Sequence, residues 1–84
     1  MAGKSEYYKK MGETLALFAN SQTVQDYQNL GNKFLVIANV EKEEWLPLYY
    51  HAQCYILMSF IENENTGKKD EYLDVANTSI EKMI

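Results

Sequence analysis

Apolar positions along this chain recur at helical spacing in four stretches separated by polar breaks. From about Ser5 to Asn20, the residues Tyr8, Met11, Gly12, Leu15, Phe18 and Ala19 follow an i, i+3, i+4, i+7 stripe. Ser5 suits the N-cap of that helix and Glu6 its first turn. Asn20-Ser21-Gln22-Thr23 breaks the pattern, and Ser21 or Thr23 can cap the next helix. The second stretch, about Val24 to Val40, sets Val24, Tyr27, Gly31, Phe34, Leu35 and Ala38 on one face. A charged joint, Glu41-Lys42-Glu43-Glu44, leads to Pro47, which suits the first turn of a third helix because its missing N–H is not needed there. That third stretch, to about Asn63, is apolar nearly all round, which predicts a helix sandwiched between neighbours. Glu62 to Lys69 reads as a solvated loop, with Thr66-Gly67-Lys68-Lys69 as a turn. A fourth helix runs from about Asp70 to Ile84, with Tyr72, Leu73, Ala76, Ile80 and Met83 on one face.

The four stretches form one pattern written twice. Tyr7-Tyr8 opens a helix closing at Phe18, and Tyr49-Tyr50 opens one closing at Phe60, with Leu15 matching Leu57. Gly31-x3-Leu35-x2-Ala38 in the second helix is answered by Ala76-x3-Ile80-x2-Met83 in the fourth. A period of about forty residues means stacked helix pairs, neither able to bury its apolar face alone. The expectation is a single all-α domain of two stacked antiparallel hairpins, one over residues 5–40 and one over 45–84. Four Gly and one Pro in the whole chain disfavour a turn-dense β fold. Gly31 in a helix interior costs up to about 1 kcal/mol against Ala, which predicts a close approach of another helix.

Charge and reactive residues narrow the function class. Residues 1–42 carry five Lys against four carboxylates, and residues 43–84 carry three Lys against eight, for a net charge of −4. All eight cations are Lys; a nucleic-acid binder needs a basic stripe and usually Arg, so nucleic acid is not an expected partner. No apolar run approaches the roughly 20 residues that cross a bilayer. His51 and Cys54 stand about one turn apart, but no second His or Cys exists to complete a metal site. Cys54 as a nucleophile lacks an activating base other than His51, and an apolar helix interior raises a thiol pKa. The carboxylates Glu62, Glu64, Asp70, Glu71 and Asp74 do not match the order of a calcium loop. Thr66-Gly67-Lys68-Lys69 lacks the glycines, the Ser/Thr and the strand of a phosphate loop. No catalytic residue, metal or cofactor is expected.

Tyr8-x2-Met11-Gly12-x2-Leu15, then Gly31-x3-Leu35-x2-Ala38, resembles the tetratricopeptide repeat, as does Leu48-x2-His51-Ala52-x2-Tyr55 followed by Ala76-x3-Ile80-x2-Met83. Both copies are longer than the standard unit, and His51 stands where leucine is usual. The stretches Asn32 to Ala38 and Glu44 to Ala52 are more specifically similar to the N-terminal part of a family of uncharacterised tetratricopeptide-repeat proteins of Bacteroidetes-type bacteria. The resemblance implies a right-handed α-solenoid that binds protein or peptide without catalysis, in a periplasmic or secreted setting. Met1 to Ser5 reads in either of two ways, as a start without a secretory signal that leads straight into polar helix, or as what is left of a start from which such a signal has been removed. Gly12 pairs with Ala52 in the repeat register and with Cys54 when the tyrosine pairs are matched. The first places Glu6, Lys9, Glu13, Tyr49, Gln53 and Ile56 on the inner, peptide-binding wall; the second places His51, Tyr55 and Ser59 there. Because the last helix of such a stack is one-sided, Tyr72, Val75, Ala76, Ile80, Met83 and Ile84 are expected to support self-association as a homodimer, the alternative role for the chain.

Overall fold

A computed structural model of the chain describes residues 3–62 and 64–84. Its order is α1 (Gly3–Ala19), α2 (Val24–Val40), α3 (Leu46–Ile61) and α4 (Thr66–Met83), with no strand among the described residues. The fold is all-α, and successive helices pack against each other as antiparallel hairpins would.

Local chemistry sets each start. Thr23 caps α2: its hydroxyl accepts from the Asp26 N–H at 3.0 Å, and the Asp26 carboxylate accepts from the Thr23 N–H at 3.2 Å, a complete capping box. The Tyr27 hydroxyl donates to the Ser21 carbonyl at 3.0 Å and pins the α1–α2 connection. Pro47 lies in the first turn of α3, as its chemistry predicts. Helix α4 begins four residues before the expected Asp70, because the Asn65 side chain accepts from the Lys68 N–H at 3.1 Å. Thr66-Gly67-Lys68-Lys69 is therefore the first helical turn rather than a loop.

Helix α3 is central. It packs extensively on α2 and on α4, while α1 packs more lightly, on α2. The main core joins Tyr7 and Met11 of α1, Leu30, Phe34 and Ile37 of α2, and Cys54 of α3. Full burial of a side chain such as Phe34 is worth about 1.5–3 kcal/mol. An aromatic cluster ties the first three helices at one end: Phe18 meets Tyr27 and Tyr50 edge-on at 5.9 and 5.7 Å, and Phe34 stacks on Tyr50 at 5.3 Å. Gly31 is buried against α3, where a Cβ would meet Tyr55 Cε2 at 3.2 Å, Cys54 Cβ at 3.5 Å and His51 Cδ2 at 3.6 Å. The close approach expected there is present. The Cα trace spans 47 × 28 × 13 Å, a thin slab in which every helix keeps one side open.

Candidate protein-docking surface

Helix α3 carries no charged side chain from Leu46 to Ile61. Its buried arc is Pro47, His51, Ala52, Cys54, Met58 and Ser59. The opposite arc is not covered. Trp45, just before the helix, is 59% exposed, Tyr49 38%, Phe60 66% and Ile61 46%. Gln53, Ile56, Leu57 and Tyr50 beside them are half-buried. Trp45, Tyr49, Gln53, Ile56 and Phe60 succeed one another at spacings of four, four, three and four, so they form one stripe along the helix. Helix α3 thus lies between α2 and α4, as its apolar sequence predicts, yet one arc of it stays open. The physical reason is that α1 leans on α2 and reaches α3 through the Phe18–Tyr50 edge contact, leaving the stripe in solvent.

The Trp45–Tyr49 end of the stripe is held in place from beneath. Trp45 meets Tyr49 edge-on at 6.3 Å, Tyr49 meets Tyr50 edge-on at 5.1 Å, and Tyr50 stacks on fully buried Phe34. A contiguous, uncharged, anchored aromatic surface is the usual mark of an interaction site.

The six inner-wall residues divide in the structure. Tyr49, Gln53 and Ile56 share the α3 stripe. Lys9 is exposed on α1. Glu6 and Glu13 open instead onto a groove between α1 and α2, whose floor is Tyr7 and Ile37 and whose edges include Lys10, Leu17, Lys33, Val36 and Val40. Trp45 and Phe60 were not among the expected site residues. Their signal was present as the regular spacing with Tyr49, Gln53 and Ile56, but Phe60 reads as core through its match to Phe18, and Trp45 as a flank of Pro47.

The residues expected to support self-association on α4 are mostly turned inward. Ala76 is buried, Tyr72, Val75, Ile80 and Met83 are half-buried, and Ile84 is fully exposed. Asp70, Asp74, Asn77, Thr78 and Glu81 face solvent on the same helix, giving it a polar outer surface.

His51 and Cys54, the reactive pair, belong to the interior. His51 Nδ1 is hydrogen-bonded to Ser79 Oγ, a buried link from α3 to α4, and its ring tilts against Tyr55 at 5.1 Å. Burial holds the His51 pKa below its ordinary 6.5, helped by the positive charge of Lys82. Burial also pushes the Cys54 thiol up to about 12, so the nucleophilic thiolate is scarce at neutral pH. Among the described residues, no three His, Cys, Asp or Glu side chains converge as metal ligands. No described helix is long and apolar enough to cross a membrane. No family model matches the chain, and no curated protein or solved structure matches it either.

Proposed function

We propose that this protein is a non-catalytic protein-binding module of the helical-repeat kind, and that its partner docks along α3. The observation that carries this reading is the uncharged stripe along the central helix, with Trp45, Tyr49 and Phe60 exposed, Gln53 and Ile56 half-buried between them, and its Trp45–Tyr49 end anchored on the core. Aromatic anchors bring large contact area at small entropic cost, and here their orientation is fixed in advance by edge contacts. Lys9 on α1, and Glu6 and Glu13 on the separate groove between α1 and α2, carry charge of both signs, which suits a polypeptide better than a nucleic acid or a lipid surface. The tetratricopeptide resemblance supports the same reading.

Selection from a displayed peptide library tests it. Selected peptides should lose at least about tenfold in affinity on Tyr49→Ala or Trp45→Glu, the loss typical of a central aromatic anchor, while Ile84→Glu leaves binding intact. Binding indifferent to every stripe substitution would place the site elsewhere and end this proposal.

A further inference from the structure

The α3 stripe also bears on what kind of surface it fits. We infer that its occupant is the same stripe of a second copy of this chain, laid antiparallel across a two-fold axis close to Gln53. This inference rests on the reading of the stripe as a docking surface and names its partner. Three observations carry it.

The first is charge. From Leu46 through Ile61 there is no Asp, Glu, Lys or Arg, and the one basic side chain, His51, is buried against Ser79 away from the stripe, so two copies meet along the stripe without opposing or stripping a charge. By contrast, the outer face of α4 presents Asp70, Asp74 and Glu81, which repel the same face of another copy.

The second is order. Outward from Gln53, one direction meets Tyr49 and then Trp45, and the other meets Ile56 and then Phe60. At 1.5 Å per residue these lie about 6 and 12 Å away on one side and about 4.5 and 10.5 Å on the other. An antiparallel two-fold therefore sets Tyr49 against the second copy's Ile56, and Trp45 against the second copy's Phe60. An isologous interface requires this kind of self-matching: what i meets in j, j meets in i.

The third is Gln53. It is the one amide of the stripe, half-buried near its middle, and no described residue hydrogen-bonds to it. Covering it with an apolar partner would strand a donor and an acceptor. A primary amide on a two-fold axis solves this with no other residue, because each copy donates N–H to the other's carbonyl.

The size of the stripe sets the strength. At 150–250 Å² per aromatic side chain, the exposed fractions of Trp45, Tyr49 and Phe60 amount to roughly 250–400 Å². That is about a third to a half of the ~800 Å² per partner in a standard interface, so the dimer is weak and forms in a concentration-dependent way.

Sedimentation of the whole chain from about 5 μM to about 1 mM provides the test, over a range chosen for a weak interface. The wild-type mass should rise from one chain toward two. Gln53→Glu alone and Gln53→Lys alone, each placing like charges at the axis, should stay monomeric while keeping the helical circular-dichroism spectrum. An equimolar mixture of the two should dimerise again, which neither misfolding nor a remote interface would produce. A wild-type chain that remains monomeric throughout, or a mixture that does not recover, overturns the inference. If the chain is monomeric but Trp45→Glu still abolishes binding of selected peptides, the docking surface stands and only its partner was misnamed. If Trp45→Glu changes neither mass nor peptide binding, both readings fall.

Discussion

Single residues in this molecule are decided by the closeness of α2 to α3. At Gly31 a methyl group gains helix propensity of about 1 kcal/mol but lands 3.2 Å from the Tyr55 ring edge. Tyr55 is half-buried and can shift by the few tenths of an ångström required, so Gly31→Ala should hold or slightly raise the melting temperature. Gly31→Leu cannot be accommodated that way against Cys54 and His51 and should cost about 1–3 kcal/mol. Equal melting temperatures for the Leu variant and the wild type would refute this packing. His51 supplies a pH dependence. Its pKa is lowered by burial and by Lys82, so the folded state favours the neutral ring. As pH falls, the unfolded chain takes up the proton before the folded one does. This stabilisation is therefore complete above about pH 6.5 and is lost as pH drops through the lower folded value. Thermal melts from pH 8 to pH 4 should show the midpoint falling below pH 6.5, and His51→Gln should flatten that part of the curve. Asp26 acts in the same direction but in a lower window. Its carboxylate is held below the ordinary 3.8 by the Gln22 and Thr23 backbone N–H groups and the Thr23 hydroxyl, so its contribution is lost only in stronger acid.

At the scale of helices, the termini depend on side-chain caps. Thr23→Ala removes the reciprocal capping box and should cost about 1 kcal/mol. Asn65→Ala should cost a similar amount but act locally, unwinding Thr66 to Lys69; amide exchange at those positions should quicken while α2 and α3 are unaffected. Most of this organisation was legible in the sequence. Val24–Val40 coincides with its predicted span because a cap, an amphipathic stripe and a charged joint all agree there. The start of α4 was not legible. Thr66-Gly67-Lys68-Lys69 has no apolar periodicity, and its helical state depends on one Asn65 hydrogen bond that competes evenly with turn chemistry in a polar segment. The candidate surface was legible in half. Tyr49, Gln53 and Ile56 emerge from the repeat register, but Trp45 and Phe60 do not, because a helix apolar on all sides gives no sign of which side its neighbours leave open.

Across the whole molecule, packing is unevenly shared, and stability should be uneven in the same way. Helix α2 lies against α1 and α3, and α3 against α2 and α4, whereas α1 has its main support from α2 through Tyr7, Met11 and Phe18. A chain of helices joined in sequence opens from whichever end is held least. Native-state hydrogen exchange should therefore find α1 exchanging at a lower opening free energy than α2 and α3, with α4 intermediate because of its extensive contact with α3 and the buried His51–Ser79 link. Two truncations separate local from global opening. Met11→Ala removes a buried side chain from the α1–α2 contact and should speed exchange in α1 while leaving α3 and α4 near their wild-type protection. Met58→Ala empties a fully buried position of central α3 and should lower protection everywhere, at a cost of about 2–5 kcal/mol. The proposed docking stripe lies on the helix that packs on both α2 and α4, so a partner bound there should cover exposed Trp45, Tyr49 and Phe60 rather than order a mobile segment. Uniform protection across all four helices, falling in parallel in both variants, would mean the slab unfolds as one unit and that the light packing of α1 has no energetic counterpart.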